Sequence, residues 1–256
     1  MPSQIEKAET FARLHVPGSP VVLFNIWDPG SARVVAKAGA KALATGSWSV
    51  AAAFGFDDGE EMPLDLALEN LRRIVAVVDL PVTLDFEGGY GKTPEAVAAT
   101  FAQALDAGAI GCNFEDRVVA GEGLYSIEDQ SARICALRDA AKRGGVPAYV
   151  NARTDLFLET EPSRHDGALV KEALERAAAY AEAGASGFFV PGLVDEDLIR
   201  QVCEGTPLPV NVMYFSGVPE ARRLAELGVA RISHGPGPYR LAMKALEEGA
   251  IGVYAT

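Results

Sequence analysis

Histidine and cysteine are scarce in this 256-residue chain, three of each, and basic residues are outnumbered by acidic ones, 23 to 35. Cys112, Cys135 and Cys203 are odd in number and far apart, which argues against a disulfide framework or a zinc knuckle and for buried thiols. His15, His165 and His234 lack the spacing of metal ligands, so a histidine-rich metal hydrolase is disfavoured, and His234, the one histidine at a strand's carboxyl end, is read as structural or as a support behind the site rather than as catalytic. The formal net charge of −12 offers no basic patch to nucleic acid or to an anionic membrane. No apolar run reaches the roughly 18 residues that span a bilayer, and no basic segment followed by an apolar one opens the chain. The expected location is cytoplasmic. Linkers, low-complexity segments and charge runs are also missing, which predicts a single domain over residues 1–256.

What the chain does have is a rhythm. Ala-rich helical stretches end in Gly39, Gly108, Gly184 and Gly228, with a weaker stop at Gly144-Gly145, and an apolar run follows each. Glycine just past a helix relieves the left-handed backbone that terminates it. Between the stops, eight runs read as strands: 21–27, 42–46, 82–87, 111–116, 148–153, 187–191, 210–214 and 231–234. Most lack polar alternation, as strands covered on both faces should. The intervening segments carry helical spacing, for example Leu68/Leu71/Ile74/Val75/Val78 and Leu169/Ala173/Leu174/Ala177/Ala181. Eight β/α units in about 250 residues favour a closed (β/α)8 barrel of the TIM type over an open sheet. The segment after the first run, Asp28-Pro29-Gly30-Ser31-Ala32-Arg33, is a poor dinucleotide fingerprint.

Reacting groups of such barrels sit at the carboxyl ends of the strands. There the sequence places Asp85 and Glu87, Glu115 and Asp116, and Arg153 and Asp155. Asp85 and Glu87, two residues apart on one strand, should face the same side, which suits a hard cation. Arg153 opposite them can grip a carboxylate with two parallel hydrogen bonds, or can serve only to neutralise Glu115 or Asp155. A Schiff-base aldolase is disfavoured because Lys92 alone among the lysines lies near a strand's carboxyl end. Cys112, within a strand, reads as packed rather than nucleophilic. After the second run come Thr45, Gly46, Ser47 and Trp48, and then Asp57 and Asp58, either of which can reach a hydrated metal.

These residues resemble the isocitrate lyase/phosphoenolpyruvate mutase superfamily. The likeness runs through Asn25-Ile26-Trp27-Asp28-Pro29-Gly30, Gly46-Ser47-Trp48-Ser49-Val50, Gly55-Phe56-Asp57-Asp58-Gly59-Glu60, Leu84-Asp85-Phe86-Glu87-Gly88-Gly89-Tyr90-Gly91, Asn113-Phe114-Glu115-Asp116 and Asn151-Ala152-Arg153-Thr154-Asp155. The resemblance implies a barrel, often in helix-swapped oligomers, that binds Mg2+ (Mn2+ as an alternative) and a 2-oxo or 2-hydroxy carboxylate and works through an enolate. It implies Asp85 as the direct metal ligand, Asp58, Glu87 and Glu115 around the metal's waters, and the 45–48 turn with Arg153 at the substrate carboxylate. The lyases of the family carry a Lys-Lys-Cys-Gly-His motif on a mobile loop. The corresponding segment here, 117–126, has no cysteine, histidine or lysine, and the Lys and Asn-Ser pair of the phosphonate-processing members is also missing. Isocitrate and methylisocitrate cleavage and P–C chemistry are thereby disfavoured. Little chain follows Leu241–Glu248 for helix swapping.

The expectation is a Mg2+-dependent lyase or decarboxylase that breaks a C–C bond of a small oxo- or hydroxy-(di)carboxylate through a metal-stabilised enolate. Arg153, Glu115 and Tyr125 are the expected catalytic residues, Tyr125 as a proton donor from the loop. A C–C or P–C hydrolase or phosphonomutase of the same family, and a non-catalytic oxo-acid binding protein, are the alternatives. A homo-oligomer, dimer or tetramer, is expected.

Overall fold

A computed structural model describes residues 2–255. Its eight strands are β1 (Val21–Leu23), β2 (Leu43–Ala44), β3 (Val82–Asp85), β4 (Gly111–Glu115), β5 (Tyr149–Arg153), β6 (Gly187–Phe189), β7 (Val210–Met213) and β8 (Arg231–Ser233). They form one parallel sheet in the order β1-β8-β7-β6-β5-β4-β3-β2. A parallel bridge between Ile26 and Thr45 closes it, with the Ile26 N–H donating to the Ala44 carbonyl at 2.9 Å. The (β/α)8 barrel expected from the glycine rhythm is present.

Each predicted run contains a strand, shorter than the run. The first extends to Leu23 rather than Trp27, and the third to Asp85 rather than Glu87. Most of the trimmed residues leave the ladder at the carboxyl end, and some of them, such as Asn25 and Gly46, line the mouth of the barrel. Gly39, Gly108, Gly184 and Gly228 all have φ between 93° and 100°. Each occupies the left-handed position that stops a helix.

Helix α1 (Gln4–Arg13) begins with a capping box between Ser3 and Glu6 and covers the amino-terminal end of the barrel. Its Phe11 is fully buried and meets Tyr149 of β5 edge to face at 5.4 Å. α2 (Pro29–Lys37), α3 (Ser47–Phe54), α4 (Leu64–Val75), α5 (Pro94–Asp106), α6 (Ile127–Arg143), α7 (Leu156–Glu159), α8 (Gly167–Glu182), α9 (Glu196–Gly205) and α10 (Ala221–Glu226) follow the strands. Phe86, Phe101, Phe114 and Phe188 are fully buried in the main core, each side chain contributing about 1.5–3 kcal/mol by leaving water. The last helix, α11 (Gly237–Tyr254), is 18 residues long and buries only Pro238. Among the described residues no helix is long and apolar enough to cross a membrane.

Candidate active site

Asp85 is the last residue of β3. Its main-chain N–H donates to the Thr45 hydroxyl at 2.9 Å, and its carboxylate accepts from the Ser47 N–H at 2.9 Å and the Asn113 amide at 3.3 Å. Ser47 opens α3, where Gly46 supplies no side-chain cap, so the first free N–H of the helix start, that of Ser47, is met by an acid from another strand.

Glu87 reaches the site by a different route from the expected one. The ladder ends at Asp85, and Glu87 takes a left-handed conformation (φ 50°), as do Gly89 (87°) and Tyr90 (54°). Strand alternation therefore does not align the two carboxylates; a turn does. Only glycine fits at Gly89, because a Cβ there would lie 2.8 Å from the Phe114 ring. The Glu87 carboxylate accepts from the N–H groups of Gly59 (2.9 Å) and Glu60 (2.7 Å), which ties the Asp58 loop to the turn. Burial, then the nearby Asp58 and Asp85, push the Glu87 carboxyl up to about 7. Burial and then Asp85 also raise Asp58.

Glu115 is buried at the end of β4, 3.0 Å from Arg153 on β5. Burial raises its carboxyl well above the usual range even though Arg153 opposes the shift. For Arg153, burial alone would favour the neutral form, and Glu115 and Asp155 more than reverse that. Arg153 gives its Nε and Nη2 to Asp155 at 2.5 and 2.8 Å. A guanidinium has five donors, so two remain for a ligand.

Ser47, Trp48, Asp58, Asp85, Asn113 and Arg153 line one cavity of about 160 Å³ at the barrel mouth. That suits a small acid and is well below the volume of a drug-sized pocket. Thr45 and Glu87 line a small adjoining cavity that shares Ser47 and Asp85 with this one. Tyr125 is not brought to this cavity. Its ring stacks on the Arg133 guanidinium at 4.0 Å, and it lines a second cavity with Lys92 and Arg117, because Arg176 holds its carbonyl and Asp116 its N–H. His234 is structural as read: its N–H bonds Asn25 and Leu23, and its ring tilts against Phe24 and Tyr214. Cys112 is fully buried, and burial pushes its thiol far up. Asn113 was quoted in the sequence without a role. Its position two residues before Glu115 on one strand was the available signal.

The acids fit a hard divalent cation. Burial first, and then the neighbouring acids, raises the carboxyls of Asp58, Glu87 and Glu115, and a cation beside them would favour their charged forms. Among the described residues no three His, Cys, Asp or Glu side chains form a ready cluster of direct ligands.

A closed parallel barrel with acids and an arginine converging at the carboxyl ends of its strands is the arrangement of an α/β-barrel enzyme. The chain belongs to the phosphoenolpyruvate phosphomutase family, whose sequence profile matches residues 11–254. A crystal structure from Burkholderia cenocepacia J2315, provisionally described as a phosphonomutase, is 53% identical with a TM-score of 0.95, covering 99% of this chain and 100% of that one. An uncharacterised protein of Mycobacterium tuberculosis is 33% identical over 95% of this chain and 88% of its own. The oxaloacetate decarboxylase of Pseudomonas fluorescens is 29% identical over 92% of this chain and 81% of its own length. The 2-methylisocitrate lyase of Escherichia coli is 30% identical over 80% and 73%.

Proposed function

We propose that this protein is a carbon–carbon lyase that decarboxylates, or cleaves by a retro-aldol step, a small 2-oxo or 2-hydroxy dicarboxylate with the help of Mg2+ or Mn2+. The observation that carries the reading is the single small cavity in which Asp58 and Asp85 face an arginine that has two donors to spare. Asp85 would hold the ion directly, and Asp58, Glu87 and Glu115 its waters. When bound, the ion supplies Lewis acidity to the oxygen beside the substrate carboxylate. Arg153 binds that carboxylate with its remaining donors, and the Thr45–Trp48 turn closes over it with the N–H groups that open α3. Glu115 and Asp155 keep the guanidinium in one orientation. The 117–126 segment, which Val118 N–H to Gly123 O and a bridge between Arg117 and Leu124 shape as a short hairpin, lines the neighbouring second cavity, and closing from there over the substrate is the role proposed for it.

Decarboxylation is favoured because it asks least of the chain. The segment 117–126 carries no cysteine, histidine or lysine, and Tyr125 is engaged by Arg133, so the proton is left to water rather than to a side chain of that segment. Similarity to the oxaloacetate decarboxylase supports this choice. P–C bond chemistry is the second reading, favoured by the likeness to the Burkholderia structure. Oxaloacetate, malate-like and methylisocitrate-like acids and phosphonopyruvate, each assayed with Mg2+ and after EDTA, decide the matter. CO2 and pyruvate from oxaloacetate are the expected products, phosphate release would establish the second reading, and no metal-dependent turnover of any substrate would leave an oxo-acid binding protein.

The same reading carries a cytoplasmic location and a homo-oligomer. Leu241, Leu246 and Ile251 on α11 are 60–67% exposed, and Val22 and Phe24, on the outer side of the first strand and just beyond it, are 44% and 40% exposed. Outward residues of a barrel strand belong under a helix. A second copy of the chain, in a dimer or a tetramer, is the cover proposed for both surfaces.

A further inference from the structure

Beneath the floor of the cavity lies a charge that the proposed reaction does not yet use. Arg231, on β8, has no exposed surface and no carboxylate partner among the described ion pairs. Its Nε donates to Ser233 Oγ at 3.1 Å and its Nη2 to Asn113 Oδ1 at 3.0 Å, while Nη1 has no partner. Asn113 and Ser233 both line the cavity. Burial lowers the Arg231 pKa to about 10, which leaves it charged at neutral pH.

Asn113 Oδ1 also accepts from the Asn151 amide at 3.0 Å, and Asn151 Oδ1 is itself buried and unpartnered. Two facing asparagines can flip together and keep one hydrogen bond, so the pair alone does not fix which end of Asn113 faces the ligand. A guanidinium has no acceptor. Arg231 therefore forces the Asn113 oxygen downward and the nitrogen up, where one N–H meets Asp85 and the second is free for the cavity. This polarity would persist when Asp85 is occupied by a cation.

Building on the functional reading above, we infer that Asn113 donates a hydrogen bond to the oxygen that gains negative charge as the substrate becomes an enolate, and that Arg231 is the positioning residue that fixes this donor and places a fixed positive charge beneath it. Donors aimed at developing charge in a dry site act on the transition state more than on the substrate.

Calorimetry with Mg2+ present, comparing oxalate, a planar dianion like an enolate, with pyruvate, tests this on the intact protein. Arg231→Met and Asn113→Ala should each weaken oxalate about tenfold, the loss of one charge-assisted hydrogen bond, and pyruvate by less than about twofold. The double variant should bind oxalate no more weakly than the worse single one, and Arg231→Lys should recover most of the loss. Equal weakening of both ligands, or losses that multiply in the double variant, would overturn the assignment. Should Arg231→Met not fold, the oxalate-to-pyruvate split of Asn113→Ala and Arg231→Lys decides it. If the unmodified protein bound neither acid, the functional reading would fall and this one with it; oxalate binding without any split overturns this one alone.

Discussion

Arg153 gives its planar fork to Asp155, two residues along the chain, rather than to the cavity: Nε and Nη2 reach the two carboxylate oxygens at 2.5 and 2.8 Å, and Nη1 lies 3.0 Å from Glu115. Both acids are buried, so removing one leaves the guanidinium partly unpaired in a dry setting. Breaking a buried pair in this way costs about 3–5 kcal/mol. Asp155→Ala should lower unfolding stability by that order in urea titration, and it should raise KM for the dicarboxylate more than it lowers kcat, because the arginine loses its orientation. Asp155→Asn keeps one acceptor and should fall between. An Asp155→Ala protein with full stability and unchanged KM would show that the fork is not what holds Arg153.

Asp85 has a different sensitivity. Its carboxylate is shared among the Ser47 N–H, the Asn113 amide and the proposed ion. Asp85→Ala should abolish Mn2+ binding measured by calorimetry and reduce turnover by at least about a hundredfold, on the order of 2.7 kcal/mol. Chelation by EDTA should give the same loss in the unmodified protein, reversed by Mg2+ or Mn2+. Retention of tight Mn2+ binding in Asp85→Ala would move the direct ligand to another carboxylate.

The barrel was legible because its signals are local. Strands covered on both faces read as unbroken apolar runs, and a helix stop needs one glycine, as Gly108 and Gly184 show. The acids and Arg153 were legible for the same reason, since they terminate those runs. For Glu87 strand alternation was the wrong guide, because the left-handed turn at Glu87, Gly89 and Tyr90 begins before alternation can apply. The placement of Tyr125 against Arg133 was not legible, because that arginine comes from α6 and no spacing rule reports that a ring lies on a guanidinium. Arg231 looked like an ordinary strand residue; that it points inward and meets Asn113, 118 residues earlier, is a property of the closed barrel.

The exposed face of α11 gives a test of assembly. Leu241 and Leu246 are 63% and 67% exposed. If a second copy covers them, Leu241→Asp with Leu246→Asp should convert an oligomer to a monomer in light scattering, and Phe24→Asp should do the same from the opposite surface. An unmodified protein that is already monomeric at micromolar concentration would remove the proposed interface.

His15 predicts how the fold responds to acid. It stacks on Tyr149 with ring centroids 4.1 Å apart, its Nδ1 bonds the Phe11 carbonyl at 2.8 Å, and its Nε2 is buried without a partner. Burial, then the nearby Arg231, lower its pKa from 6.5 to about 3. The unfolded chain takes up this proton below about pH 6.5, and the folded one does not until about pH 3. The neutral ring therefore contributes its full stability above pH 6.5, and that contribution is lost progressively as the pH falls toward 3. At pH 4.5 the loss should be about 2.5 kcal/mol relative to pH 7.5, given two pH units below the unfolded value. Urea unfolding at the two pH values should show that difference in the unmodified protein, and His15→Phe, which keeps the stack and cannot titrate, should reduce it by most of that amount. An equal acid loss in both proteins would assign the sensitivity to other groups.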